Sequence, residues 1–204
     1  MPLDPTFTAQ VLLLSTGALF VLGALVWPVV RLWLRTGVFA ITSLRTEDPA
    51  ERIMGLVLAG VIAAYTALLG GYAALGPAAV DADVPGWPAI GVGAGAMLGG
   101  LALVVIAQAQ MGQSWRIGID TEPTPLITTG LYRWLRSPIY AGILLALAGV
   151  TGIIATLPAI IGWPVVAALC SWQAGREETH MASLYPKEYP AWARRTGRFF
   201  PKFW

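Results

Sequence analysis

Five long apolar runs, at about residues 7–34, 53–75, 89–109, 139–156 and 157–172, take up most of this chain. A helix of roughly 20 apolar residues crosses the hydrocarbon core, where only helices and closed barrels satisfy their own backbone polar groups. The runs therefore predict an all-α polytopic membrane bundle of about five transmembrane helices. The last two runs are joined by almost nothing, so they form a C-terminal helical hairpin, which an aromatic, basic amphipathic tail follows. A composition that is 56% hydrophobic and 12% charged, with mean hydropathy +0.67, excludes an ordinary soluble domain. The start, MPLDPTF, has no basic segment and precedes a run of span length, so no cleavable leader is expected.

At 204 residues the chain has no room for a separate nucleotide-binding domain, and any cofactor must bind in or beside the bundle. It reads as a single membrane domain, residues 1–204. Three spans occupy residues 1–110, and a polar loop, the hairpin and the tail occupy 111–204. A lone cysteine, Cys170, and a lone histidine, His180, argue against a disulfide and against a metal site. Cys170 reads as a packing residue, and His180 as an interfacial residue on a short amphipathic helix.

Prolines and glycines punctuate the runs. Pro28 predicts a kink or early stop near the inner end of span 1, and Pro164 a kink in span 5. Asp48-Pro49 forms an N-cap and N1 pair for span 2. The segment GVGAGAMLGG mimics a dinucleotide fingerprint at Gly91, Gly93 and Ala96 but lacks the preceding strand. Gly91, Gly95 and Gly99 recur every four residues, which predicts a face for close helix packing.

All 13 Lys and Arg fall at the inner end of span 1 or after it, before span 4 or after span 5, among them Arg31, Arg45, Arg116 and Arg198. With five spans those segments share one side, which the positive-inside rule makes cytoplasmic, with the N-terminus outside. Arg outnumbers Lys 11 to 2, which suggests a GC-rich bacterial genome and a plasma-membrane location. Tyr185, Tyr189, Trp192, Phe199, Phe200, Phe203 and Trp204 read as an aromatic belt holding the tail against lipid headgroups. Beside so many spans, the basic tail points to membrane lipids and to no nucleic acid.

The polar material on that side centres on Leu126 to Gly142, LITTGLYRWLRSPIYAG. Arg136 sits at the water boundary, Pro138 starts a helix without wasting a backbone donor, and Tyr140 and Gly142 occupy its first turn. Because the two ends of a hairpin are neighbours, Arg136 and Tyr140 should lie near Arg176, Glu177 and Glu178. Such charges are costly in hydrocarbon and must face water, one another or a ligand.

Together these motifs resemble the membrane-embedded isoprenylcysteine carboxyl methyltransferase and phospholipid methyltransferase family. The resemblance rests on Gly130 with Tyr132; on Arg136, Pro138, Tyr140 and Gly142; on Glu177-Glu178; on Tyr185 and Tyr189; and on Arg198 with Pro201. Met111-Gly112-Gln113-Ser114-Trp115 adds a Gly-x-x-Trp. It implies an enzyme that uses S-adenosylmethionine to methylate a lipophilic or amphiphilic small molecule or lipid. It assigns Tyr132, Ser137, Pro138, Tyr140, Gly142 and Glu178 to the cofactor, and Arg136, Arg176 and Glu177 to orienting acceptor or cofactor, with no metal. Ser137 stands where the family has a histidine; it can donate a hydrogen bond but cannot carry charge. A membrane reductase of the sterol-reductase type using NADPH, or a non-catalytic relative, is the alternative.

Overall fold

A computed structural model describes residues 4–37, 48–115 and 125–202. Arg45, Arg116, Phe203 and Trp204, named above, lie outside them. Among the described residues the regular elements are helices joined by turns and loops, with an isolated parallel bridge between Leu135 and Gly197. Four helices are long and apolar enough to cross a membrane: Pro5–Thr36 taken as one, Arg52–Leu75, Trp87–Met111 and Leu157–Leu184. The fifth expected span, Pro138–Ile154, has 17 residues and rises about 25 Å.

The first helix is composite. α1 (Pro5–Phe20) starts under an Asp4 cap, passes through a π-helical segment at Val21–Val26 and continues as α2 (Trp27–Thr36). Pro28 therefore does not end the span. It has no N–H to offer the carbonyl of Ala24 four residues earlier, and Gln108 Nε2 donates to that oxygen instead at 2.7 Å. α3 (Pro49–Leu75) begins on the expected pair, with Asp48 accepting from Ala50 N at 2.9 Å.

α4 (Trp87–Met111) and α5 (Pro138–Ile154) form the centre of the bundle as an antiparallel pair. Their contact uses a different glycine face from the one expected. A Cβ on Gly91 or Gly95 would meet nothing within 4 Å, whereas one on Gly100 would lie 2.4 Å from Gly142 O and one on Gly149 2.5 Å from Gly93 O. Gly93 and Gly100, like Gly142 and Gly149, are spaced by seven, the repeat that keeps one seam of each helix on its neighbour. The four-residue series Gly91, Gly95, Gly99 drifts off that seam, and Gly99 only touches Leu145 at ordinary distance. Met97, Val150, Ile153 and Ile154 fill the layer beside the glycines and close against Leu13 and Tyr72.

α6 (Leu157–Leu184) follows α5 after Ala155 and Thr156, with Ala155 in the left-handed region and Thr156 as cap. It runs well past the expected end at Trp172, and Pro164 lies within it without breaking it. Glu177, Glu178 and His180 therefore ride on a long helix as it leaves the apolar layer. α7 (Glu188–Ala193) turns the tail back beneath the bundle.

Candidate functional site

The tail and the loop before α5 are bonded directly to one another. Arg136 N donates to Gly197 O at 2.7 Å, Ser137 N to Arg198 O at 3.0 Å, and Gly197 N to Trp134 O at 3.1 Å. This strand-like strap places Arg136 and Arg198 on either side of Glu178. Arg198 grips the carboxylate with Nε at 2.9 Å and Nη2 at 2.7 Å, while Arg136 Nε donates to Oε1 at 2.9 Å. Arg136 Nη1 also donates to the carbonyls of Ala193 and Thr196. A paired guanidinium suits this geometry, since its fixed fork matches a carboxylate edge. The result is a charged clamp joining α6, the loop and the tail, and it leaves Arg136 Nη2 with no protein partner among the described residues.

Above the clamp lies a cavity of about 440 Å³. Its polar end is lined by Tyr132, Arg136, Ser137, Tyr140, Glu177 and His180, and its apolar end by side chains of α1, α3 and α5, including Phe20, Leu58, Ile62 and Leu147. Tyr140 donates its hydroxyl to Glu177 Oε1 at 2.6 Å, which fixes the carboxylate's direction. Pro138 starts α5 as expected. A serine before such a helix ordinarily caps it, but the Ser137 side chain makes no cap bond and lies on the cavity wall.

Tyr132 is held from three directions. Gly130 takes φ +62°, a conformation glycine adopts without strain, and Gln110 packs where its Cβ would be and accepts from Leu131 N at 2.9 Å. Trp192 Nε1 donates to Tyr132 O at 2.9 Å, and Tyr189 packs edge-on to Trp192. The Tyr132 side chain is 6% exposed, and its hydroxyl has no partner among the described residues. Burial first, and then the Glu177 carboxylate, raise its ionisation well above the ordinary phenol range, so it stays protonated.

The match with the sequence assignments is uneven. Tyr132, Arg136, Ser137, Pro138, Tyr140, Glu177 and Glu178 all border the cavity, but Arg176 and Gly142 do not. Arg176 turns the other way, pairing with Asp48 at the start of α3 and stacking over the Trp172 ring at 5.1 Å; one residue along a helix is a turn of about 100° away from Glu177. Gly142 gives up its side chain to let α4 approach. The belt reading fits Phe200, which is 82% exposed, but Tyr189 and Trp192 are buried beneath Tyr132; their i, i+3 spacing on one face was the available signal. Among the lining residues not assigned to the site, two polar ones lie close to it. His180 lies one turn beyond Glu177 on the wall, and Gln108 approaches from the end of α4.

Residues 89–188 match the phospholipid methyltransferase family. Over that segment, just under half of its length, the chain is similar to this family of methyltransferases. Neither the curated proteins nor the solved structures give a match. The phospholipid methyltransferase region begins in the first turn of α4 and ends as α7 starts, so it contains the loop, the hairpin and both glutamates. The α1 and α3 walls of the cavity lie outside it.

Proposed function

We propose that the protein transfers a methyl group from S-adenosylmethionine to the head of an amphiphile, at the cytoplasmic boundary of the membrane. The observation that carries this reading is the two-part cavity, in which a polar pocket with a buried, unpaired tyrosine hydroxyl opens onto an apolar wall made by α1, α3 and α5. An acyl or isoprenoid chain suits that wall, and the family match supports a lipid head as the acceptor.

The residues present fit the cofactor. Arg136 Nη2 and the Ser137 hydroxyl offer donors for its carboxylate, Glu177 suits its ammonium group, and Tyr132 can exchange a hydrogen bond with a polar atom deep in the pocket. When bound, S-adenosylmethionine supplies an electrophilic methyl on a positively charged sulfur. The protein's task is then to align the acceptor in line and keep water out. Tyr132, Tyr189 and Trp192 close the floor, and Tyr140 holds Glu177 in one direction. Glu178 is committed to two arginines, which favours a structural role over that of a base.

The test is calorimetric titration of the protein in nanodiscs with S-adenosylhomocysteine, paired with mass spectrometry of lipid extracts incubated with methyl-labelled cofactor. Binding and a labelled lipid are expected, and absence of both would overturn the reading. A reporter fused to the C-terminus, after Trp204, should read cytoplasmic.

Tyr132→Phe should separate stability from function. Removing an unpaired buried hydroxyl is expected to stabilise the ligand-free protein by about 1 kcal/mol, because its desolvation penalty disappears. The same change should weaken S-adenosylhomocysteine about threefold to tenfold. Thermal unfolding and titration check the two signs.

A further inference from the structure

We infer that Gln108 is a recognition residue of the cavity, whose side-chain oxygen accepts a hydrogen bond from an N–H or O–H group on a bound ligand; the choice of ligands rests on the methyl-transfer reading above. Three observations lead there. The first is orientation. The carbonyl of Ala24 can only accept, so the Gln108 atom 2.7 Å from it must be the amide nitrogen, and the oxygen points elsewhere. Pro28, four residues on, has no N–H to offer this carbonyl. The carbonyl in the first helix thereby fixes the direction of an amide on α4.

The second observation is burial. Gln108 is 8% exposed, and its Oε1 has no partner among the described residues. A buried acceptor left unmade is unfavourable, and a ligand donor would relieve it. The third is position. Gly93 packs against Gly149 and Gly100 against Gly142 in the antiparallel pair, so continuing eight residues beyond Gly100 brings Gln108 level with the loop at 134–138. Gln108 lines the same cavity as Arg136, Ser137 and Tyr132, from the α4 side, and also borders a smaller one of about 130 Å³ beside Trp27 and Pro28. A donor at the polar end of the cavity, on the acceptor's head or on the cofactor, can therefore meet this oxygen. A fully methylated or otherwise capped head cannot, which gives the site a means of favouring a head that still carries hydrogen.

Gln108→Met alone would also strip Ala24 of its donor and could act through stability. The informative comparison is therefore made in a Pro28→Ala background, where residue 28 regains an N–H for the carbonyls of the preceding turn. Pro28→Ala and Pro28→Ala/Gln108→Met are reconstituted in nanodiscs and titrated with S-adenosylhomocysteine, with dodecanol against dodecyl methyl ether, and with dodecylamine against dodecyltrimethylammonium. Thermal unfolding of both variants accompanies the titrations. The second substitution is expected to weaken at least one donor-bearing probe by roughly threefold to tenfold and to leave the capped amphiphiles unchanged. Loss confined to S-adenosylhomocysteine assigns the donor to the cofactor, and loss confined to the alcohol or amine assigns it to the acceptor's head. Equal binding by both variants in every arm overturns the inference and leaves Gln108 as a cap for Ala24 alone. Failure of the parent protein to bind S-adenosylhomocysteine would instead count against the methyl-transfer reading, while the amphiphile arms still decide the role of Gln108.

Discussion

Glu178→Gln should abolish methyl transfer and lower stability by about 3 kcal/mol, because it leaves two arginines facing each other without their shared counter-charge. Glu178 is 20% exposed and Arg136 14%, so water replaces little of what is lost; Arg198, at 35%, is more accessible and holds the loss below the fully buried limit. The effect on binding follows from the strap. Arg136 and Arg198 flank the backbone pairing of residues 134–137 with 197–198, and Arg136 and Ser137 belong to both the strap and the cavity wall. Disordering the clamp moves the groups proposed to hold the cofactor, and S-adenosylhomocysteine binding should fall at least tenfold. Arg176→Gln is the matched control. Its pairing with Asp48 is more exposed, at 31% and 41%, which places it in the range of about 0–1 kcal/mol, with cofactor binding unchanged. Unfolding in nanodiscs and titration measure both variants. Wild-type stability and affinity in Glu178→Gln would show that the clamp is incidental.

Gly100→Val should be the most damaging substitution in the apolar part of the bundle, although it adds only hydrocarbon. The atoms that a Cβ would strike are backbone, Gly142 O at 2.4 Å and Ala146 N at 2.7 Å, and backbone in a helix cannot rotate aside. The two helices must part, at a cost of about 3 kcal/mol or more. The wedge also reaches the site, since α4 carries Gln108 and Gln110 near its end while α5 starts at Ser137 and Pro138. Reduced cofactor affinity should accompany the loss of stability. Gly95→Ala, on the same helix but with open space at its Cβ, should be neutral or stabilising by up to about 1 kcal/mol, the ordinary gain of alanine over glycine in a helix. Comparable losses from both would mean that the α4–α5 contact does not set the packing.

The contrast between Gly100 and Gly95 shows where a one-dimensional reading stops. Each apolar run could be recognised because hydropathy adds up locally along the chain, and the helix starts at Asp48-Pro49 and Pro138 because capping is decided within a few residues. The family motifs were legible for the same reason. They cluster where a polar loop meets an apolar helix, and the matched segment of the phospholipid methyltransferase family encloses most of them. The end of α6 was misjudged because hydropathy stops at Trp172 while helix propensity does not; Arg, Glu and Met are good helix formers.

What the sequence determined by itself, then, is the set of apolar helices and the stretch of chain that bears the site. Only the tertiary structure decided which glycines meet, that Arg198 rather than Arg176 completes the grip on Glu178, that Tyr189 and Trp192 lie under Tyr132 rather than in a lipid belt, and that Gln108 donates its amide to the carbonyl of Ala24. The physical reason is the same in each case. Hydropathy and capping are properties of neighbouring residues, whereas an ion pair, a close helix contact or a freed carbonyl acquires meaning only from a partner that lies far away in the chain.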